Sequence, residues 1–161
     1  MSGCILVRHG KKKWNNGARR SDGCPFDPPL LNGNDVRRLN LTGVQRIICS
    51  PFLRCRETAL ILSGGQIPVF VDSNLREYLG NWQGRQVSVL PETQAYIREP
   101  LVETFDQFKE RVLRTVHSNY YQPGTVVVTH GLVIKVLCEK LAPGMHVDPK
   151  EAEAVHLRAS N

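Results

Sequence analysis

The chain has 161 residues, 41% of them hydrophobic and 22% charged, and a formal net charge of +6 at pH 7. That length suits a single domain over residues 1–161 with its own core, and no apolar run approaches the ~20 residues of a membrane helix, which excludes an integral helical membrane protein. The basic balance favours an anionic partner, whether phosphate ester, nucleic acid or acidic membrane surface, without choosing among them.

Read in chain order, strand and helix alternate. Residues 4–7 form a short apolar run, expected as a buried strand. Residues 10–34 are rich in Gly, Pro, Asn and Lys and read as a long loop. A short helix is expected near 35–39, a strand over 45–49, and a helix over 52–62 that Ser63-Gly64-Gly65 ends. Pro68 opens a third strand over 69–71. Residues 104–117 give the clearest helix: Phe105, Phe108, Val112 and Val116 recur at helical spacing, and Thr104 with Gln107 forms a capping box. Residues 125–129 are a β-branched strand, 132–141 a mostly apolar helix that Pro143-Gly144 closes, and 154–157 a last strand. This order predicts an α/β fold, with a mainly parallel central sheet flanked by helices on both faces.

The five cysteines are odd in number and have no paired spacing, and the segment before Arg8 lacks the basic lead of a secretory signal. Both features lead us to expect no disulfide framework and a cytoplasmic location.

Two expected strands run directly into a histidine, at Arg8-His9-Gly10 and at His130-Gly131, and a third runs into Ser50-Pro51-Phe52-Leu53-Arg54. In open α/β sheets the ligand crevice lies at the carboxyl ends of the strands. Arg8, His9, Arg54 and His130 are therefore expected to converge. Two guanidiniums and two imidazoles around one crevice match phosphate, because guanidinium forks bind its oxygens and imidazole donates to it or attacks it.

Four stretches, in order, also resemble the motifs of the histidine phosphatases, the phosphoglycerate mutase-like superfamily. They are Leu6-Val7-Arg8-His9-Gly10 with Trp14-Asn15, Ser50-Pro51-x-x-Arg54-x-x-x-Thr58-Ala59, the segment from Leu75 to Gly84 that contains Glu77, and Val128-Thr129-His130-Gly131. The resemblance implies a three-layer fold with a possible antiparallel edge strand near 154–157. It implies phosphomonoester hydrolysis through a phosphohistidine, with His9 as nucleophile, Glu77 as proton donor and His130 as an oxygen donor. Arg8, Asn15 and Arg54 would hold phosphate. Neither a metal nor a cofactor is implied. The chemistry agrees: neutral imidazole keeps a lone pair near pH 7, and attack through Nε2 requires the proton on Nδ1, most simply donated to a backbone carbonyl.

The chain departs from that pattern at Lys11-Lys12-Lys13, where the family commonly has a small or acidic pair with Ser or Thr second. The run reads either as solvated lysines or as an attractor for a highly anionic substrate. Arg56 reads as an exposed helix arginine, and His117, His146 and His156 as structural or surface residues. Only residues 78–129 separate Glu77 from His130, which leaves no room for the insertion of the cofactor-dependent mutases and favours a phosphatase over a mutase. A cysteine-dependent phosphatase fails on spacing, since Cys49 precedes Arg54 and Arg56 by the wrong intervals. A binding module that holds phosphorylated partners without turnover is the competing class. The expected partner is a phosphorylated small molecule or phosphoprotein as substrate, with no specific nucleic acid and no membrane.

Overall fold

The computed structural model describes residues 3–13, 27–80 and 89–158. Its strands are β1 (Ile5–Arg8), β2 (Arg46–Cys49), β3 (Val69–Val71), β4 (Thr125–Thr129) and β5 (Ala154–His156), and its helices are α1 (Leu53–Ser63), α2 (Pro91–Gln94), α3 (Phe105–Arg114) and α4 (Gly131–Leu141). The sheet order is β3-β2-β4-β1-β5. All neighbours are parallel except β5, which runs antiparallel to β1. The α/β architecture and the antiparallel edge strand are thus as the sequence led us to expect.

Each central strand is apolar on both faces, as a sheet between helices requires. Leu6, Ile48 and Val127 point into a core shared with Phe108, Val112, Val133, Ile134 and Leu137 of α3 and α4. Their neighbours Val7, Ile47, Cys49, Val126 and Val128 point the other way, onto Cys55 and Ala59 of α1. The period of two along the strands divides the core into two layers. Gly64 ends α1 in the left-handed region, at φ 54°, a conformation that costs glycine no side-chain clash.

Register positions the chemistry. Arg8 lies opposite Thr129 and Cys49 opposite Val128, so β1 and β4 end level with one another and β2 ends one residue earlier. His9, Ser50 and His130 leave the sheet at the same edge.

Several local expectations are corrected. The helix near 35–39 is a single 3-10 turn, Val36–Arg38, which Asp35 caps; one turn suffices to seat the buried Val36. The capping box of α3 is present, but Phe105 from the expected buried stripe is 45% exposed. It sits in the first turn, beyond the edge of the core, and packs against Tyr78 and Phe108. Arg56 is half-buried rather than exposed. Its Nε donates to the Pro51 carbonyl at 2.8 Å and its Nη2 to Thr93 Oγ1 at 3.1 Å, so it ties α1 to α2. His117, His146 and His156 are exposed, and Cys4, Cys49, Cys55 and Cys138 are buried free thiols. No helix among the described residues is long and apolar enough to cross a membrane.

Candidate active site

His9 follows β1 directly, and its amide donates to the Thr129 carbonyl of β4 at 3.0 Å. The ring is 2% exposed. Its Nδ1 hydrogen-bonds the Gly10 carbonyl at 2.8 Å. A carbonyl only accepts, so Nδ1 carries the proton and Nε2 keeps its lone pair. Arg54 Nε donates to that Nε2 at 3.3 Å. The backbone after His9 is held in turn: the Gly10 amide donates to Thr58 Oγ1, and Thr58 donates to the Arg54 carbonyl. A Cβ at Gly10 would come 2.5 Å from Val36 Cγ2, which explains the glycine after the histidine.

Arg54 sits one residue into α1 and is 1% exposed. It touches three candidates at once: His9 through Nε, and both Nδ1 of His130, at 3.3 Å, and the carboxylate of Glu77 through Nη2. His130 ends β4 and forms the N-cap of α4. Its Nε2 lies 2.9 Å from Ser50 Oγ and 3.5 Å from Cys55 Sγ, and Phe52 packs edge-on against it. A guanidinium only donates, so Nδ1 of the neutral ring accepts from Arg54 and Nε2 carries the proton toward Ser50; Nδ1 becomes a donor to the crevice when Arg54 turns to an anion and the serine hydroxyl donates to Nε2 instead. Glu77, one-third exposed, stands at the solvent side. The segment leading to it is anchored by Arg111, whose Nη1 donates to the carbonyls of Asn74 at 2.7 Å and Arg76 at 3.0 Å. Arg111 is ion-paired with the buried Glu103.

Arg8 is placed differently. Its guanidinium lies along Gly131, and Nη1 donates to the Pro149 carbonyl at 2.8 Å. Among the described residues its buried Nε has no hydrogen-bond partner.

The electrostatics follow from burial among cations. Burial, reinforced by Arg54, pushes His9 well below the usual histidine range, and the hydrogen bond to Gly10 opposes the shift only in part. Burial and then Arg54 do the same to His130. Burial also lowers the Lys12 ammonium, against the attraction of Glu77. Both imidazoles are thus neutral near pH 7, while the cations around them invite an anion.

A family model described as histidine phosphatase superfamily (branch 1) matches residues 4–159. The chain belongs to the histidine phosphatase superfamily. No curated protein matches it. Among solved structures, YhfR of Bacillus stearothermophilus is 27% identical, with 88% of this chain and 80% of that chain covered and a TM-score of 0.57. The phosphoglycerate mutase of Thermus thermophilus is 22% identical over 98% and 99% of the two chains, with a TM-score of 0.63. The alpha-ribazole phosphatase of Shigella flexneri is 20% identical over 94% and 88%, with a TM-score of 0.64. The last two share the fold.

Of the expected site residues of this histidine phosphatase homologue, His9, Arg54, Glu77 and His130 come together around Arg54. Arg8 flanks them, and Asn15 lies outside the described residues. Reading the motifs left Ser50 and Cys55 without a role beside His130, although both stand inside the stretch around Arg54. The Glu103–Arg111 anchor carried no local signal, since its partners are 8 residues apart and its carbonyl targets lie 37 and 35 residues away.

Proposed function

We propose that the protein hydrolyses phosphomonoesters through a phosphohistidine at His9. The observation that carries this reading is the Nδ1 hydrogen bond to Gly10, which leaves the Nε2 lone pair beside Arg54 and His130. Nε2 attacks phosphorus, and the bond from phosphorus to the ester oxygen breaks. Arg54, Arg8 and the donor of His130 neutralise the phosphoryl oxygens as charge moves onto them. The departing oxygen takes its proton from Glu77. Water then gives a proton back to Glu77 and attacks phosphorus, the nitrogen–phosphorus bond breaks, and neutral His9 and inorganic phosphate result. The ion pair between Arg54 and Glu77 must open during this cycle, because phosphate takes the guanidinium.

Residues 78–129 are few for a water-excluding lid, which favours hydrolysis over mutase chemistry. A phosphorylated small molecule or phosphoprotein is the proposed substrate, with no metal, cofactor, specific nucleic acid or membrane in the cycle, and a cytoplasmic location. Turnover of p-nitrophenyl phosphate tests the reading. Wild type should release p-nitrophenol and His9→Ala should not. Saturable phosphate-ester binding without any turnover would instead mean a binding module.

A further inference from the structure

Of the three lysines after Gly10, one is set apart. Lys12 forms a β-bridge with Leu30. Lys13 N donates to the Pro29 carbonyl at 2.9 Å on one side of it, and Leu31 N to the Lys11 carbonyl at 2.7 Å on the other. Residues directly opposite across such a bridge point to the same face, and their neighbours to the other. Leu30 is buried while Leu31 is exposed. Lys12 therefore turns inward with Leu30, and Lys11 and Lys13 turn to solvent; burial agrees, since Lys12 is half-buried and the other two are exposed.

The inward face is that of the catalytic crevice. Among the described residues the charges that act most strongly on the Lys12 ammonium are those of Glu77, Arg54, Glu151 and Arg8, with Glu77 the strongest. Both His9 and His130 feel its charge in turn. Lys12 thus stands on the Glu77 side, where the departing oxygen is to receive its proton. Proton loading of Glu77, which that step requires, cancels the stronger of the two carboxylates beside Lys12. Among the described residues Glu151 is then the carboxylate still acting on the half-buried ammonium, and an added anion there is favourable.

We propose that Lys12 is a specificity-determining residue that binds a second anionic group, carried by the leaving group of the substrate. This rests on the phosphomonoesterase reading above. Arg8 and Arg54 hold the transferred phosphoryl group, and Lys12 selects leaving groups that bear a carboxylate or a further phosphate over neutral ones.

The test compares propyl phosphate with 3-(phosphonooxy)propanoate, which differ only in the terminal carboxylate. Wild type should favour the carboxylate-bearing ester at least tenfold in kcat/KM. Lys12→Gln should bring that ratio close to one, and Lys12→Arg, which keeps the charge, should preserve most of it. A wild-type ratio near one, or a preference that survives Lys12→Gln, overturns the proposal. Calorimetric titration with both esters separates it from the reading it rests on. Tenfold tighter binding of the carboxylate ester that disappears in Lys12→Gln, with no turnover of either, upholds the anion selectivity and defeats the hydrolase.

Discussion

The rings of His9 and His130 lie with centroids 5.3 Å apart and planes at 63°, although 121 positions of sequence separate them. Parallel pairing of β1 with β4 creates this proximity, because the two strands end in register and each continues into its histidine. Both rings are buried beside Arg54, so a charge on either is opposed by the guanidinium and by desolvation.

That opposition makes a titration prediction. The ring protons of His9 and His130, followed by NMR in the ligand-free protein, should show no protonation step at the ordinary histidine value of 6.5 but only well below it. The nucleophile then stays neutral into acid. Turnover should therefore keep its level as pH falls through 6.5 and be lost only well below it, where His9 takes up a proton. A midpoint of the His9 ring at or above 6.5 would contradict the packing described.

Stability should follow the same groups. A folded-state value below the unfolded one means that the unfolded chain binds more protons as pH falls beneath 6.5, so acid favours unfolding. Each histidine contributes stability that is present above 6.5 and is lost through the acid range at up to about 1.4 kcal/mol per pH unit. Urea melts between neutral and mildly acid pH measure the slope. His130→Gln should make it shallower, and an unchanged slope would mean that His130 is not a source of the loss.

Glu77→Gln should separate leaving groups. An alkyl alkoxide needs a proton as it departs, whereas p-nitrophenolate does not. The variant should lose on the order of a hundredfold with alkyl phosphates, and much less with p-nitrophenyl phosphate. Asp72 and Glu103 are not substitutes: Asp72 caps the Asn74 amide at 2.7 Å and Glu103 is paired with Arg111. Equal losses for both substrate types would remove Glu77 from the role.

Arg111→Met should cost about 3–5 kcal/mol, because it leaves Glu103 buried without its main partner. It also frees the carbonyls of Asn74 and Arg76 just before Glu77. The fall in activity should therefore appear in kcat with alkyl phosphates more than in KM. Chemical denaturation checks the first effect and steady-state kinetics the second; a loss under about 1 kcal/mol would show that the anchor is dispensable.

An acid quench should release phosphate trapped on wild-type protein, and an alkaline quench should retain it, since a phosphorus–nitrogen bond to imidazole is acid-labile. His9→Ala should trap none under either condition. Label that survives acid would point to an acyl or alkyl phosphate on another residue.

By itself the sequence determined the alternation of elements, because apolar runs of four or five residues and one well-capped amphipathic helix are local signals. It also marked His9, Arg54 and His130, since each directly follows or opens an element at the sheet edge where ligands bind. Glu77 came only from the surrounding motif, having no periodicity to announce it. Tertiary structure decided the rest, through groups distant along the chain. The pairing of Lys12 with Leu30 gives the middle lysine alone an inward direction. Register sets His130 against Ser50 and Cys55, and Arg111 reaches back to the carbonyls that lead to Glu77. Composition carries no record of which way a loop lysine points or which carbonyl a distant arginine will find, because both depend on strands that pair only once the chain has folded.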